Sequence, residues 1–277
     1  MDAHLEAMEA LRWGLMASGI DCSVRHNELD LSRRNIVFGW IVAAQINQLR
    51  GLPPGSILYN FEQFSELEAP DAATVQMLQP FRIWDYSAAN LDYWRRAGLS
   101  AFHAPVSFAP TLVRIPRANA PDIDALFVGA AGAVRSEKLL RIASSEARPS
   151  VAVLLNFWGA LRDEMLGRSR LLLNVSSESP RLRIFEVARV SYYLANRLPV
   201  LCERLPGLHV EPDLVDAVAW ADKQELPELA ARLLADPAAL AELGQRGFDI
   251  FSRRDARLVV QRWLAWEAAQ GGQGAAA

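Results

Sequence analysis

Ser169–Glu203, SRLLLNVSSESPRLRIFEVARVSYYLANRLPVLCE, reads as strand, polar loop, helix, turn and strand, and its pattern decides the fold. Leu171, Leu172, Leu173 and Val175 make the short apolar run of a strand covered on both faces, and the polar, proline-containing SSESPR ends it. A helix is expected from near Arg183. From there Ile184, Val187, Ala188, Leu194 and Ala195 recur at three- and four-residue steps, while Glu186, Arg189 and Tyr193 lie on another face. Asn196 falls where a helix closes through a left-handed residue, and Pro199 stops it before the apolar run Leu198–Cys202. Ligands of open parallel sheets lie beyond the carboxyl ends of the strands. The loop acid Glu178, the helix acid Glu186 and the bases Arg181 and Arg183 are therefore expected to converge on one site. The plainer alternative is an exposed loop acid at Glu178 and a helix-face ion pair between Glu186 and Arg189.

Working outward, strands alternate with helices on both sides of this stretch, which implies doubly wound parallel sheets. The chain opens with a helix from about Ala3 to Ser18, and Cys22–Asn27 and Asn35–Trp40 read as strands. A helix from Val42 to Arg50 leads to the strand of SILYNFEQ, and a helix from Thr74 to Pro80 leads to the strand RIWDYS, whose Ser87 can cap the next helix. AFHAPVSF is the following strand. Periodicity stops between Ala109 and Pro121, where three prolines punctuate a polar, basic segment. The domains expected are thus 1–109, a linker 110–121, and 122–250, followed by a helix within 251–270 and a mobile tail 271–277. Within the second domain, short strands are expected near Leu208–Val210 and Val218–Trp220, and helices over Pro227–Ala235 and Pro237–Gly247.

The Ser169–Glu203 stretch resembles the C-terminal donor-binding domain of GT-B glycosyltransferases, which transfer a sugar from a nucleotide. Glu178 and Glu186, with seven residues between them, resemble the spaced glutamate pair of many retaining members, and ANRLPV resembles the family's segment of small residue, Gly, Pro and Val. Asn196 stands where the family usually has Gly, and the Gly-Phe-Gly type residues between the two acids are absent. The order of ILYNFEQ, IWDYSAANLDYW, DALFVGAAG, LLNVSSES and IFEVARVSYYLANRLPVLCE extends the likeness over most of the chain and resembles a group of bacterial members. The resemblance implies an α/β fold of two facing Rossmann-like domains with parallel sheets, the GT-B architecture. The N-terminal domain would be compact, either lacking its first strand or filling that place with another segment. It further implies that Glu186, with Arg189 beside it, meets the nucleotide ribose and that Glu178 meets the sugar. The final helix would cross back to the first domain, with Trp263 and Trp266 as packing anchors.

A diphosphate leaving group needs positive charge. Main-chain amides from Gly129 to Ala133, the helix start after them and Arg135 are the expected source, with Arg162 and Arg183 as further candidates. An inverting reaction also needs a base for the acceptor hydroxyl. Glu62 and Asp85 end first-domain strands and are the candidates, Asp85 having the structural alternative of a helix-start partner, and His26 and His103 follow them. Asp122-Ile-Asp124 has the form of a metal-holding acidic pair but precedes its strand, so it is read as part of the polar linker and no metal is expected. Trp158, before Gly159, could stack on a base.

At 277 residues, 51% of them hydrophobic, the chain can build two cores, and a net charge of −3 offers no general attraction for nucleic acid. Its two cysteines, Cys22 and Cys202, have no metal spacing, which fits a reducing, cytoplasmic compartment. No apolar run approaches the ~20 residues of a membrane span, and MDAHLEAMEA is acidic where a signal peptide is basic. The function expected is transfer of a glycosyl group from a nucleotide-diphosphate sugar to an acceptor hydroxyl. A catalytically silent nucleotide- or sugar-binding module and a nucleotide-sugar epimerase are the alternatives.

Overall fold

Two parallel sheets organise the protein, one of four strands in the order β1-β2-β3-β4 and one of five in the order β6-β5-β7-β8-β9. The computed structural model describes residues 4–45, 48–64, 69–155, 157–178 and 183–273. In chain order these hold α1 (Leu5–Ala17), β1 (Ile36–Phe38), α2 (Trp40–Gln45), β2 (Ile57–Asn60), α3 (Ala72–Leu78), β3 (Arg82–Asp85), α4 (Leu91–Arg96) and β4 (Ala101–His103). There follow β5 (Ile123–Val128), α5 (Ala133–Ala143), β6 (Val151–Leu154), α6 (Ala160–Arg168), β7 (Ser169–Asn174), α7 (Val187–Ala195), β8 (Val200–Glu203), β9 (Ala219–Ala221), α8 (Leu226–Ala235), α9 (Pro237–Phe251) and α10 (Ala256–Gln273). One compact unit comprises the chain up to Ser107 together with Asp255 onwards, and the other is Phe108–Arg254. No described helix is long and apolar enough to cross a membrane.

In the first unit, strand alternation separates two kinds of core. Val37, Leu58, Ile83 and Ala101 face Trp40, Leu78 and Trp94. On the other face each strand contributes one aromatic residue in register: Phe38 opposite Tyr59, Tyr59 opposite Trp84, and Trp84 opposite Phe102. Ring centroids along this row are 5.0, 5.6 and 5.7 Å apart. The last helix covers the row, Trp263 lying edge-on to Trp84 at 5.2 Å and Trp266 5.7 Å from Phe102. It also packs on α1 at Gly14, where a Cβ would stand 2.8 Å from the Ala256 backbone.

In the second unit, Ala125, Phe127, Leu171, Leu173 and Leu201 line one face of the sheet, against Leu139 and Ile142 of α5 and Leu226, Ala230 and Leu234 of α8. Residues 110–121, expected as a linker, lie within this unit, with Leu112 and Ile115 buried. The Asn196 side chain holds them. Its Oδ1 accepts from the Arg114 and Ile115 N–H groups, both at 2.9 Å, and its amide donates to the Leu112 carbonyl at 2.9 Å.

Several local expectations change. Cys22–Asn27 forms no strand: Val24 is exposed in otherwise polar SVRHNE, no neighbouring strand pairs with it, and Asn27 turns the chain with φ 55°. Of the helix expected over Val42–Arg50, the described residues up to Gln45 are helical and Gln48–Gly51 forms a 3-10 turn, Ile46 and Asn47 lying outside the described residues. The helix expected from Arg183 begins at Val187, because Ile184 pairs with His209 in an isolated bridge, which is also all that forms of the strand expected near Leu208. Glu186 is consequently the residue before the helix rather than a member of its first turn. Asn196 keeps φ at −108°, spending its side chain on the 112–115 segment, and Arg197 takes the left-handed position with φ 56°.

Candidate functional site

The chain runs from β5 outward to the edge strand β6, then returns to the opposite side of β5 as β7. Connections therefore leave in opposite directions between β5 and β7, and the crevice beyond their carboxyl ends is where such sheets bind ligands. Two loops form it. Gly129, with φ 147°, turns β5 toward α5, and a Cβ there would stand 3.2 Å from the Arg189 guanidinium. No side chain caps α5, whose first amides point to the crevice end of the helix. The Gly129 N–H itself is used, donating to the Leu154 carbonyl at 3.0 Å. On the other side, β7 ends in Asn174 and continues to Glu178.

Glu186 joins these loops. One oxygen accepts from Arg135 at 3.1 Å, and the other lies 2.8 Å from Arg189. Arg135 is buried and donates to the Val175 and Ala130 carbonyls at 3.0 and 2.9 Å, so it ties the β7 loop to the β5 loop. Burial lowers its pKa from the ordinary arginine value, and Glu186 opposes that shift. Both guanidiniums lie over the Phe127 ring, at 5.7 and 5.6 Å, and Arg189 also donates to Asn174 Oδ1 at 3.2 Å. The product is a carboxylate held between two fixed cations at a helix-bearing crevice. Such a group can accept from hydroxyls while its partners face phosphate.

Beside it, Glu178 belongs to a second charged cluster whose other members, Lys138, Glu203 and Lys223, the sequence did not single out. Lys138, fully buried, stands 2.7 Å from Glu203 at the end of β8 and 2.9 Å from Glu178, and donates to the Ser176 carbonyl at 3.0 Å. Lys223, after β9, reaches Glu178 at 3.1 Å. The two lysines hold the Glu178 carboxyl below the usual glutamate range by hydrogen bonding. Glu178 is 40% exposed and adopts φ 58°, a conformation that costs a non-glycine residue about 1 kcal/mol or more. A signal for Lys138 existed: with Arg135, Leu139 and Ile142 it completes a buried face at helical spacing. Glu203 ends a strand on the crevice side, the feature that singled out Glu62.

The other candidates are distributed as follows. Arg183 is exposed beside the Ile184 bridge, its carbonyl accepting from the His209 N–H, and Arg181 lies outside the described residues. Arg162 is buried beneath Trp158 and Tyr192, 5.7 and 4.6 Å from the rings, and pairs with Asp163. Trp158 is 40% exposed at the end of β6, with Phe157 and Leu161 exposed nearby. Asp122 pairs with Arg168 at 2.6 Å and Asp124 with Arg170 at 2.8 Å, both at the amino end of β5, away from the crevice.

In the first unit, Glu62 is exposed just beyond β2. Its carbonyl accepts from the Asn60 and Asn90 amides at 2.9 and 2.8 Å. Asp85 is completely buried and takes four hydrogen bonds, from Asn60, the Ser87 N–H, Asn90 and Trp94, at 2.8, 2.9, 3.0 and 2.8 Å. Enclosed and saturated with donors, it has the surroundings of the structural alternative and supports the two asparagines that shape the Glu62 turn. His26 is exposed and His103 half-buried at the end of β4.

Burial pushes the Asp85 carboxyl up to about 6 in spite of its donors. Between the ordinary carboxylate range and that value the folded state keeps a proton that the unfolded chain has released. Stability contributed by Asp85 therefore falls as pH rises through this window, by about 3 kcal/mol for the full shift. Denaturation midpoints from pH 4 to 7 should decline less steeply in Asp85→Asn than in the unaltered protein, and equal slopes would contradict this.

Two Rossmann-like units with parallel sheets of four and five strands, the second bearing this crevice, define the GT-B glycosyltransferase fold. Among similar solved structures is HepE of Anabaena in complex with UDP and glucose, at TM-score 0.59 and 12% identity over 82% of this chain and 75% of that one. TarM matches at TM-score 0.56 and 8% identity over 76% of this chain and 50% of that one. Sucrose-phosphate synthase of Thermosynechococcus elongatus matches at TM-score 0.50 and 14% identity, covering 84% and 72%. No protein-family model and no curated protein matches the sequence.

Proposed function

We propose that the protein is a glycosyltransferase that moves a sugar from a nucleoside-diphosphate sugar to an acceptor nucleophile without a metal ion. The observation that carries this reading is Glu186 clamped between Arg135 and Arg189 at the β5/β7 crevice. Glu186 accepts from the ribose hydroxyls. Arg135, Arg189 and the amides of the Gly129 loop and the α5 start face the diphosphate, with Arg183 as an outer contact. Glu178 meets the transferred sugar once it leaves its lysine partners, and Trp158 offers a ring to the base.

In the transfer, the bond from the anomeric carbon to the diphosphate oxygen breaks and a bond to the acceptor oxygen forms. The diphosphate leaves with the electron pair, and the fixed cations stabilise the charge that develops on it. Glu62 takes the acceptor's proton if the anomeric centre inverts. Asp85 acts only through the turn that carries Glu62.

HepE binds UDP-glucose, so uridine donors come first in a test panel. Calorimetry against nucleoside-diphosphate sugars, with and without chelator, should give selective binding of one donor, slow release of nucleoside diphosphate and indifference to chelator. A changed sugar without nucleotide release would indicate an epimerase, and affinity without turnover in the presence of acceptor libraries would indicate a binding module. Binding of no donor would overturn the reading.

A further inference from the structure

A cavity of about 660 Å³ opens in the first unit along β1, far larger than a packing defect and within the range of roughly 300–1,000 Å³ typical of small-molecule sites. Its position follows from the fold. β1 is the sheet's edge strand, paired on one side only, and all three of its residues line the space. The irregular 20–35 segment, which forms no strand on that edge, closes over it from outside.

The walls are apolar. Leu11 and Leu15 come from α1, Val37 from β1, Ala43 from α2 and Trp263 from α10, all of them buried side chains that border the cavity. The rim is charged, and most of that charge is already matched. Arg25 pairs with Glu28 at 2.7 Å, Arg33 with Asp21 at 3.1 Å and Arg34 with Glu267, and Asp30 stands 3.9 Å from both Arg25 and Arg33. Arg12 is different. Exposed on α1 beside the apolar Leu11 and Leu15, it has no carboxylate partner among the described residues. An apolar cavity whose lining includes Arg12, a cation with no carboxylate partner among the described residues, is complementary to a molecule that is hydrocarbon along its length and anionic at one end.

We propose that this cavity binds a monomeric single-chain amphiphile, with its hydrocarbon chain against Leu11, Leu15, Val37 and Trp263 and its anionic head at Arg12. The cavity belongs to the first unit and the crevice to the second, and the proposal does not depend on the function assigned to the crevice.

Cys22 gives a direct readout. It is half-buried in the cavity lining, whereas Cys202, the other cysteine, is completely buried, so a thiol reagent applied to the folded protein reports on Cys22. Laurate, used below its micelle concentration, is the probe. It should slow the reaction of Cys22 severalfold in a saturable manner and shift tryptophan emission through Trp263. Dodecanol should bind more weakly than laurate. Arg12→Glu, a change on an exposed position that leaves the thermal midpoint in place, should weaken laurate by roughly tenfold by reversing the charge at the head. Ala43→Trp, which fills the cavity, should remove protection altogether. Failure of laurate to protect Cys22 in the unaltered protein would overturn the proposal, as would equal affinities for laurate and dodecanol together with no effect of Arg12→Glu.

Discussion

Glu186→Gln is expected to lower kcat/KM for the nucleotide-sugar by roughly a hundredfold or more. The substitution keeps shape and removes charge, so its effects separate cleanly. Arg135 is buried and Arg189 half-buried over the same Phe127 ring, and the carboxylate is what lets the two cations share that space. Breaking a partly buried pair by neutralising one member costs about 3–5 kcal/mol where the remaining charge stays enclosed. The bound diphosphate can neutralise the arginines in its place, so the loss should fall on the ribose contact. Donors lacking the ribose 2′ and 3′ hydroxyls provide the check. They should be poor ligands for the unaltered protein, and the penalty should nearly vanish in Glu186→Gln. If both proteins discriminate equally, Glu186 does not meet the ribose.

The second large effect belongs to Lys138. Lys138→Met is expected to destabilise the second unit by about 3–5 kcal/mol, because it leaves Glu203 buried beside the Ser176 N–H without its ion-pair partner. Removing both charges is a different matter. Lys138→Met combined with Glu203→Leu replaces an enclosed ion pair by apolar side chains and should recover much of the loss. Urea denaturation of the three proteins checks this, and a double variant as unstable as the single one would contradict it. The comparison also bears on Glu178, which loses one of its two lysines in either variant but keeps Lys223.

The parallel sheets were legible because their strands are short apolar runs alternating with helices, and Leu171–Leu173 is buried as that pattern requires. What escaped was set by partners distant in sequence. Asn196 has the residue type of a left-handed helix end, yet four hydrogen bonds to Leu112, Arg114, Ile115 and Tyr192 outweigh that local preference. The late start of α7 has the same origin, since His209 claims the backbone on either side of Ile184. In the candidate site, Glu186, Arg189 and Arg135 could be named from strand ends and helix starts. Lys138 could not be recognised by its charge, because a lysine enclosed by Glu178 and Glu203 looks, one residue at a time, like any lysine on a helix. Asp85 shows the reverse: a carboxylate at a strand end has the position of a base, but Trp94, Ser87 and two asparagines occupy it.

The first unit is built from both sides of the second in sequence, and this orders its biosynthesis. On a ribosome, Phe108–Arg254 is an uninterrupted segment that can close its own sheet as soon as it emerges. The four-stranded sheet emerges earlier but must wait. Its aromatic row stays uncovered until α10 has been made and has reached Gly14 and Trp84. The half of the molecule translated first is therefore the half completed last, and its exposed tryptophan and tyrosine rings are the surface a chaperone would meet in the interval.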